Sequence, residues 1–434
     1  MTKQSENGKS MHVIFHVVAV LLCMTSFTLG SNLSVKKAVS TGLSKNPGLT
    51  QILKRYEALK KVPSQIKSLP DPIVSIGLIN FPTDTFNISQ EPMTNVQVGF
   101  SQSFPYPGKL DLKGEIAELE AKAAFYTVDE VRLLLTNHIE STWWQVYYFD
   151  RALETVRNNQ NLLRQFIKIA EEKYKTGEGL QQDVLLAQLE LSKLLDQEIQ
   201  VKAFRRNQSI NLNLLMGIDP SKDVHLGKKR TKKLSHKMNE KYLYKLAIEH
   251  RPSLKREESR ILASTSRLNL AHKEFYPDFN IAVSYGDRRG YNPGTFDDRR
   301  ADLFSLRVGI KVPLYYKTKQ SKAVQQKFIE QQGSYAGFED EKLKVMAEIS
   351  KNYTDYRQAK KQLSLFETGI LPQARQTVES MRSGYQVSKV DFLNLVQSQV
   401  TLFNYELIYW KALTASMQAL SGIKANVGEV NIYE

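Results

Sequence analysis

The sequence of 434 residues is poor in cysteine and in long apolar runs, and both absences exclude classes of protein. The single cysteine, Cys23, excludes an internal disulfide framework and a structural zinc site built from several thiolates. Beyond residue 31 the chain has no stretch of about 18 apolar residues, so we expect no membrane-spanning helix there. A content of 41% hydrophobic residues nevertheless indicates a folded protein.

The side-chain patterns of common catalytic and metal sites are also missing. The histidines beyond residue 31 are scattered, and no two of them have the i, i+4 spacing of a helical metal site. They are His138, His225, His236, His250 and His272. The chain has no glycine-rich loop that could hold a phosphate group. We therefore expect no enzyme activity, no cofactor and no bound metal.

Proline is absent from two long parts of the chain, which permits long helices there. No proline occurs between Gly108 and Asp219, and Pro372 is the only one after Pro313. In both parts apolar residues recur at alternating spacings of four and three, which is typical of a helical seam. The seam residues are Phe149, Leu153, Val156, Leu163, Ile167, Ala170 and Tyr174, then Leu393, Val396, Val400, Phe403, Leu407, Trp410 and Met417. An ordinary helical bundle or a dimeric coiled coil would give the same pattern.

Residues 1–30 have the pattern of a secretory signal peptide. Lys3 and Lys9 precede an apolar run over residues 13–22, which is too short to be a convincing membrane span. An uncleaved N-terminal anchor is the alternative. Lipidation of Cys23 is disfavoured because Leu22 is larger than the residue that lipoprotein cleavage prefers.

The positive charge of the chain is concentrated near its middle. The net charge is +15, and residues 227–260 hold 12 Lys and Arg against 4 Glu. Such a stretch would suit a nucleic acid, but an exported protein is not expected to meet one. We interpret residues 227–240 as a basic linker that faces solvent or an acidic partner.

The two halves of the sequence contain the same motifs in the same order. Asn46-Pro47 corresponds to Arg251-Pro252, Pro70-Asp71 to Pro277-Asp278, Phe104-Pro105-Tyr106-Pro107-Gly108-Lys109 to Val312-Pro313-Leu314-Tyr315-Tyr316-Lys317, and Tyr174-Lys175-Thr176-Gly177 to Tyr385-Gln386-Val387-Ser388. A period of about 200 residues is too long for a solenoid and indicates two homologous halves. We predict a first structural repeat over residues 31–226 and a second over residues 241–434.

Each repeat contains one candidate strand hairpin. The strands are predicted at residues 73–78 and 96–100 in the first repeat, and at 281–285 and 304–312 in the second. In the last segment apolar residues alternate with Ser305, Arg307, Gly309 and Lys311, which indicates one apolar and one wet face. Transmembrane barrels show this alternation, but four strands cannot close a barrel. Several copies of the chain would have to share one.

Each repeat also predicts a long helix and a returning helix. The long helix would start after the second strand and end near Tyr174 or Tyr385, so that about 65 to 70 residues span roughly 100 Å. Gly177-Glu178-Gly179 would end the first long helix, and Ser383-Gly384 with Ser388 the second. Returning helices of about 35 and 30 residues would follow. We therefore expect a mainly α fold with a small β part.

These features together resemble the TolC family of outer-membrane efflux proteins. The motifs that carry the resemblance are the helix starts at Pro47 and Pro252, the strand entry Asp71-Pro72, the strand-to-helix turn of Phe104, Pro105, Tyr106, Pro107, Gly108 and Lys109, and the helical turn of Tyr174, Gly177, Asp183, Ala187 and Gln188. The resemblance implies long helical hairpins that form a periplasmic α-barrel. This barrel would continue into an outer-membrane β-barrel with four strands per chain and twelve per trimer.

The resemblance also implies a function. The chain would be a trimeric, passive exit duct in outer-membrane lipid, with a large periplasmic portion that docks to a periplasmic adaptor and an inner-membrane pump. The strand-to-helix turn most resembles the branch that exports heavy-metal cations, which predicts metal cations as cargo. A periplasmic coiled-coil interaction or adaptor protein without a pore is the alternative. It would explain the seams but not the strand hairpins.

Asp183 and Asp391 are the candidate gate residues. Each follows a helix-tip turn, formed by Tyr174 and Gly177 in the first repeat and by Tyr385 and Ser388 in the second. In a three-fold assembly an inward carboxylate would be repeated into a ring that attracts cations. The alternative is that both aspartates lie in the first turn of a helix and stabilise its dipole. Because Ser388 replaces a glycine, the geometry of the second turn is left open.

Overall fold

The computed structural model describes residues 32–228 and 231–433. The predicted signal peptide with Cys23 lies outside the described residues, as do Lys229 and Arg230 of the basic linker. Within the described ranges, no helix is both long and apolar enough to cross a membrane.

The described residues form ten α-helices and four β-strands. In chain order they are α1 (Val35–Lys45), α2 (Pro47–Leu59), α3 (Val62–Lys67), β1 (Ile73–Ile79), β2 (Asn95–Phe104), α4 (Lys109–Lys175), α5 (Gln181–Met216), α6 (Glu240–His250), α7 (Pro252–Lys273), β3 (Asp278–Asp287), β4 (Leu303–Lys311), α8 (Gln320–Leu365), α9 (Leu371–Gln386) and α10 (Phe392–Asn426). Short helices, a strand hairpin, a long helix and a returning helix thus occur twice in the same order.

The long helices follow the proline-free parts of the chain. Helix α4 has 67 residues, which corresponds to about 100 Å, and returns through the 36 residues of α5. The second long helix begins at Gln320, and a π-helical turn at Phe366–Ile370 separates α8 from α9. Pro372 follows this turn, and its ring would crowd the carbonyl of Thr368 in a regular α-helix, so the wider turn accommodates it. Helix α10 has 35 residues instead of the expected 30.

The four strands form one antiparallel sheet in the order β1-β2-β3-β4. The strand register aligns apolar residues of neighbouring strands. One row across the sheet consists of Ile76, Val98, Tyr285 and Phe304. Because side chains alternate along a strand, every second row falls on the same face. The apolar face consists of Val74, Ile76, Val98, Phe100, Ile281, Val283, Tyr285, Phe304, Leu306, Val308 and Ile310. The alternation predicted for residues 304–312 is confirmed, since Ser305, Arg307, Gly309 and Lys311 lie on the opposite face of β4.

The chain divides into two compact units. Of the described residues, the first comprises 32–44, 139–228, 231 and 374–410, and the second comprises 45–138, 232–373 and 411–433. The core of the first unit contains buried side chains of α4, α5, α9 and α10, among them Val156, Leu163, Phe166, Ala170, Ala187, Leu194, Tyr385, Phe392, Leu395, Val396 and Phe403. Seven of the fourteen seam residues are buried and five are half-buried, whereas Tyr174 and Leu393 at the ends of the seams are exposed.

Candidate functional site at the helix-tip turns

The turn between α4 and α5 depends on a left-handed glycine. Gly177 has a φ of 77°, and its N–H donates to the carbonyl of Tyr174 at 3.1 Å. The N–H of Glu178 donates to the carbonyl of Lys173 at 2.9 Å. This pair of bonds satisfies the last carbonyls of α4 and reverses the chain direction. Glycine adopts the required φ without a steric penalty.

The turn between α9 and α10 has the same bonding pattern around a serine. Ser388 has a φ of 57°, and its N–H donates to the carbonyl of Tyr385 at 3.1 Å. The N–H of Lys389 donates to the carbonyl of Gly384 at 2.9 Å. The serine thus keeps the geometry of the first turn, at a cost of about 1–2 kcal/mol for the left-handed conformation. Ser383 and Gly384, expected at the helix break, lie inside α9.

Two of the predicted residues meet across these turns. The hydroxyl of Tyr385 donates to Oδ2 of Asp183 at 3.3 Å, and its ring is buried at 5.0 Å from the ring of Phe392. Burial raises the pKa of Asp183, the Tyr385 hydrogen bond opposes this, and the charge of Asp391 raises it again. Burial and then the charge of Asp183 raise the pKa of Tyr385 to about 12. The tyrosine therefore remains a hydrogen-bond donor at neutral pH.

A lysine that the sequence interpretation missed makes a second link between the turns. The Nζ atom of Lys173 donates to the hydroxyl of Ser388 at 2.7 Å and lies 5.3 Å from the ring centroid of Tyr385. A cation over an aromatic face is attracted by the ring quadrupole. Two side chains of each tip turn are thus tied to the other turn.

Asp391 differs from Asp183 in its position. Asp183 lies in the first turn of α5, as the dipole interpretation expects. Asp391 directly precedes α10, at the N-cap position, where a carboxylate also stabilises the helix dipole. Its carbonyl accepts the N–H groups of Asn394 at 3.1 Å and Leu395 at 3.4 Å, and the residue is exposed. Asp391 can therefore present its carboxylate to solvent at the tip.

The predicted strand-to-helix turn is organised by a buried lysine in the second unit. Gly108 has a φ of 86°, and Lys109 begins α4 with its side chain almost entirely buried. The Nζ atom of Lys109 lies 2.8 Å from Oδ1 of Asp278, 3.2 Å from Oε2 of Glu274 and 3.1 Å from the carbonyl oxygen of Tyr276. All three donor positions of the ammonium are therefore used.

Aromatic stacking completes this junction. The rings of Tyr106 and Tyr276 are stacked with centroids 4.5 Å apart, and the N–H of Tyr106 donates to Oδ1 of Asp278 at 2.9 Å. Phe104 ends β2, and Pro105 and Pro107 follow it before Lys109. The sequence contained a signal for Asp278, because Pro277-Asp278 repeats Pro70-Asp71.

The described lysines of the basic linker lie at the surface. Lys228 and Lys233 are exposed, and the Nζ atom of Lys232 lies 3.9 Å from the ring centroid of Tyr433. Among the described residues, no group of three or more His, Cys, Asp or Glu side chains is arranged to hold a metal ion.

Each repeat thus combines an amphipathic strand hairpin with a long helix and a returning helix. The model of the outer membrane efflux protein family matches residues 80–218 and 243–429, which is most of the chain. The chain belongs to the outer membrane efflux protein family. It is therefore an efflux protein of the outer membrane, and the family resemblance seen in the sequence is confirmed. A comparison with curated proteins gave no match.

Solved structures establish the fold. The outer-membrane channel OprN is 16% identical with a TM-score of 0.76, and the match covers 91% of this chain and 90% of that chain. VceC from Vibrio cholerae is 16% identical with a TM-score of 0.75, covering 91% and 96%. The open state of MtrE from Neisseria gonorrhoeae is 15% identical with a TM-score of 0.71, covering 91% and 88%. The chain therefore has the fold of these outer-membrane channels.

Proposed function

We propose that three copies of this chain form the passive exit duct of a tripartite efflux system, which docks to a periplasmic adaptor and an inner-membrane pump. The observation that carries the proposal is the sheet. One face is apolar and exposed, with Val308 at 60% and Ile76 at 78%, and both edge strands lack a partner within the described chain. Lipid would cover the apolar face, and neighbouring copies would pair the edges into twelve strands. The duct itself catalyses no reaction.

The helix-tip turns are the proposed gate of this duct. The Asp183–Tyr385 and Lys173–Ser388 links hold the two turns of one chain together, so their loss would free one turn to move. A hydrogen bond of this kind contributes about 1 kcal/mol, and three copies repeat it around the axis. Asp391, which is exposed beside this link, would add a ring of negative charge that favours cations.

Tyr385→Phe tests the gate because it removes only the hydroxyl that Asp183 accepts. We expect Tyr385→Phe to increase single-channel conductance in planar bilayers. Asp391→Ala is expected to reduce the preference for cations without that increase. Tyr174→Phe is the matched control, since Tyr174 occupies the equivalent position of the first turn and is half exposed. Equal conductance of the wild-type protein and Tyr385→Phe would contradict the gate.

The proposed cargo is metal cations, on the strength of the strand-to-helix turn that resembles the heavy-metal branch. A deletion strain should then be sensitive to metal salts and unaffected by dyes, detergents and antibiotics. Broad sensitivity would instead assign drugs as the cargo. The pore-free adaptor alternative predicts that the purified protein gives no conductance in bilayers.

A further inference from the structure

The end of β2 and the start of β3 are fastened together within one chain. Phe104 at the end of β2 lies opposite Phe279 in β3. Directly beyond this pair, Lys109 binds Asp278 and Tyr106 stacks on Tyr276. We call this set of four side chains the intrachain junction. It links the end of β2 and the start of α4 to the segment between α7 and β3.

Both halves of this junction have a counterpart elsewhere in the sequence. Asp71 precedes β1 as Asp278 begins β3, 207 residues later, and Lys317 follows β4 as Lys109 follows β2, 208 residues earlier. However, β1 and β4 are the two outer strands of the sheet. One chain therefore cannot bring Lys317 to Asp71.

The counterpart residues are exposed in the single chain. Leu69 and Leu314, at the positions of Tyr276 and Tyr106, are 48% and 74% exposed. Asp71 and Lys317 are exposed too, and within the described ranges their side chains form no ion pair and no hydrogen bond. Asp71 lies near Leu69 in the sequence, and Lys317 lies near Leu314. The two segments are therefore complementary, because their charges are opposite and each carries an apolar side chain.

We propose that a second copy of this chain completes the junction, so that Lys317 of one copy binds Asp71 of the neighbouring copy and Leu314 packs on the neighbour's Leu69. This inference rests on the trimeric duct proposed above and specifies its subunit interface. The ion pair would form three times in the trimer. It would lie at the boundary between strands and helices, as the pair of Lys109 and Asp278 does.

The same correspondence fixes the register between β4 of one copy and β1 of the next. Phe100 lies opposite Val283 in the intrachain pairing. Val308 lies 208 positions after Phe100, and Ile76 lies 207 positions before Val283. The correspondence therefore places Val308 opposite Ile76 of the neighbouring copy. Both residues belong to the apolar face, so the transposed register keeps one face apolar around the assembly. A slip of one residue would place Val308 beside the polar face.

Cysteine cross-linking tests the register. Directly opposite strand residues have Cα atoms about 4.5–5.5 Å apart, which lies within the range of a disulfide. Val308→Cys with Ile76→Cys, combined with Cys23→Ser, should give disulfide-linked trimers on oxidation in detergent. The matched control pairs Val308→Cys with Leu78→Cys, which the proposed register places one diagonal step away. Cross-linking of the control but not of the test pair would overturn the register.

Charge reversal tests the ion pair independently. Asp71→Lys and Lys317→Asp should each lower the temperature at which trimers dissociate, and the double reversal should restore it. Additive losses in the double variant would overturn the ion pair. A wild-type trimer in light scattering that shows neither cross-link nor charge rescue would overturn this inference but leave the proposed duct intact. A wild-type protein that is monomeric in detergent and in bilayers would overturn both.

Discussion

Replacement of Arg251 by methionine should destabilise the second compact unit by about 3–5 kcal/mol, because it breaks a buried ion pair. Arg251 is 6% exposed and Glu130 7%, and Nη2 of the arginine lies 2.6 Å from Oε1 of the glutamate. The guanidinium also donates to the carbonyl of Ala425. The second carboxylate oxygen of Glu130 has no hydrogen-bond partner among the described residues. Without Arg251, the glutamate would be buried without its ion-pair partner.

The loss should depend on pH. Burial raises the pKa of Glu130 above 4.5, and the charge of Arg251 opposes that rise. Loss of Arg251 removes the opposing charge, so the pKa should rise further in the variant. A carboxyl group whose pKa is higher in the folded state adds stability below its unfolded pKa, and this stability is lost as the pH rises through the folded value. The cost of Arg251→Met should therefore be larger at about pH 8 than at about pH 5.

The matched control removes both charges. The double variant Glu130→Leu with Arg251→Met should be within about 1 kcal/mol of the wild-type protein, since apolar replacement of a buried pair is often neutral. Guanidinium unfolding in detergent, followed by far-ultraviolet circular dichroism because all three tryptophans lie in the first unit, would measure all three proteins at both pH values. A double variant as unstable as the single one would refute the ion-pair reasoning, as would a single variant that loses less than about 1 kcal/mol.

Two further predictions concern the sheet and the first unit. Val308→Arg should cost about 2–4 kcal/mol of folding into bilayers if Val308 faces lipid, whereas Ser305→Arg on the opposite face should cost far less, as insertion assays would show. Hydrogen bonds to Glu198, led by that of Lys202, lower its pKa to about 2, so the stability that they provide should be lost as the pH falls from 4.5 through about 2. In acid unfolding experiments, the free energy of unfolding of Glu198→Gln should depend less on pH in this range than that of the wild-type protein. The same pH dependence in both proteins would contradict the role of these hydrogen bonds.

Local sequence rules predicted the main helices and strands. The proline-free part after Gly108 predicted the 67-residue helix α4, because a helix interior excludes proline but accepts most other residues. Alternation in residues 304–312 predicted β4 and its apolar face. The two copies of each motif predicted the repeated order of elements. Each of these features depends on neighbours a few positions away, which the sequence displays directly.

Long-range pairing was beyond these rules. The sequence placed Tyr385 and Asp183 at separate tips, and only the packing of the first unit brought them to 3.3 Å across 202 positions. Lys173 carried no motif of its own, yet it reaches Ser388 because the two turns lie side by side. The π-helical turn was equally hidden, since Pro372 alone does not reveal whether a helix ends, kinks or widens.

The sequence by itself determined that each half has a strand hairpin, a long helix and a returning helix, that β4 has one apolar face, and that the chain consists of two similar halves. Tertiary structure decided which of the repeated residues are paired within one chain. Lys109 and Lys317 occupy equivalent positions, but only Lys109 follows a strand whose neighbour, β3, belongs to the same chain. Burial and ion pairing depend on strand order in the folded sheet, and a sequence repeat leaves that order unspecified.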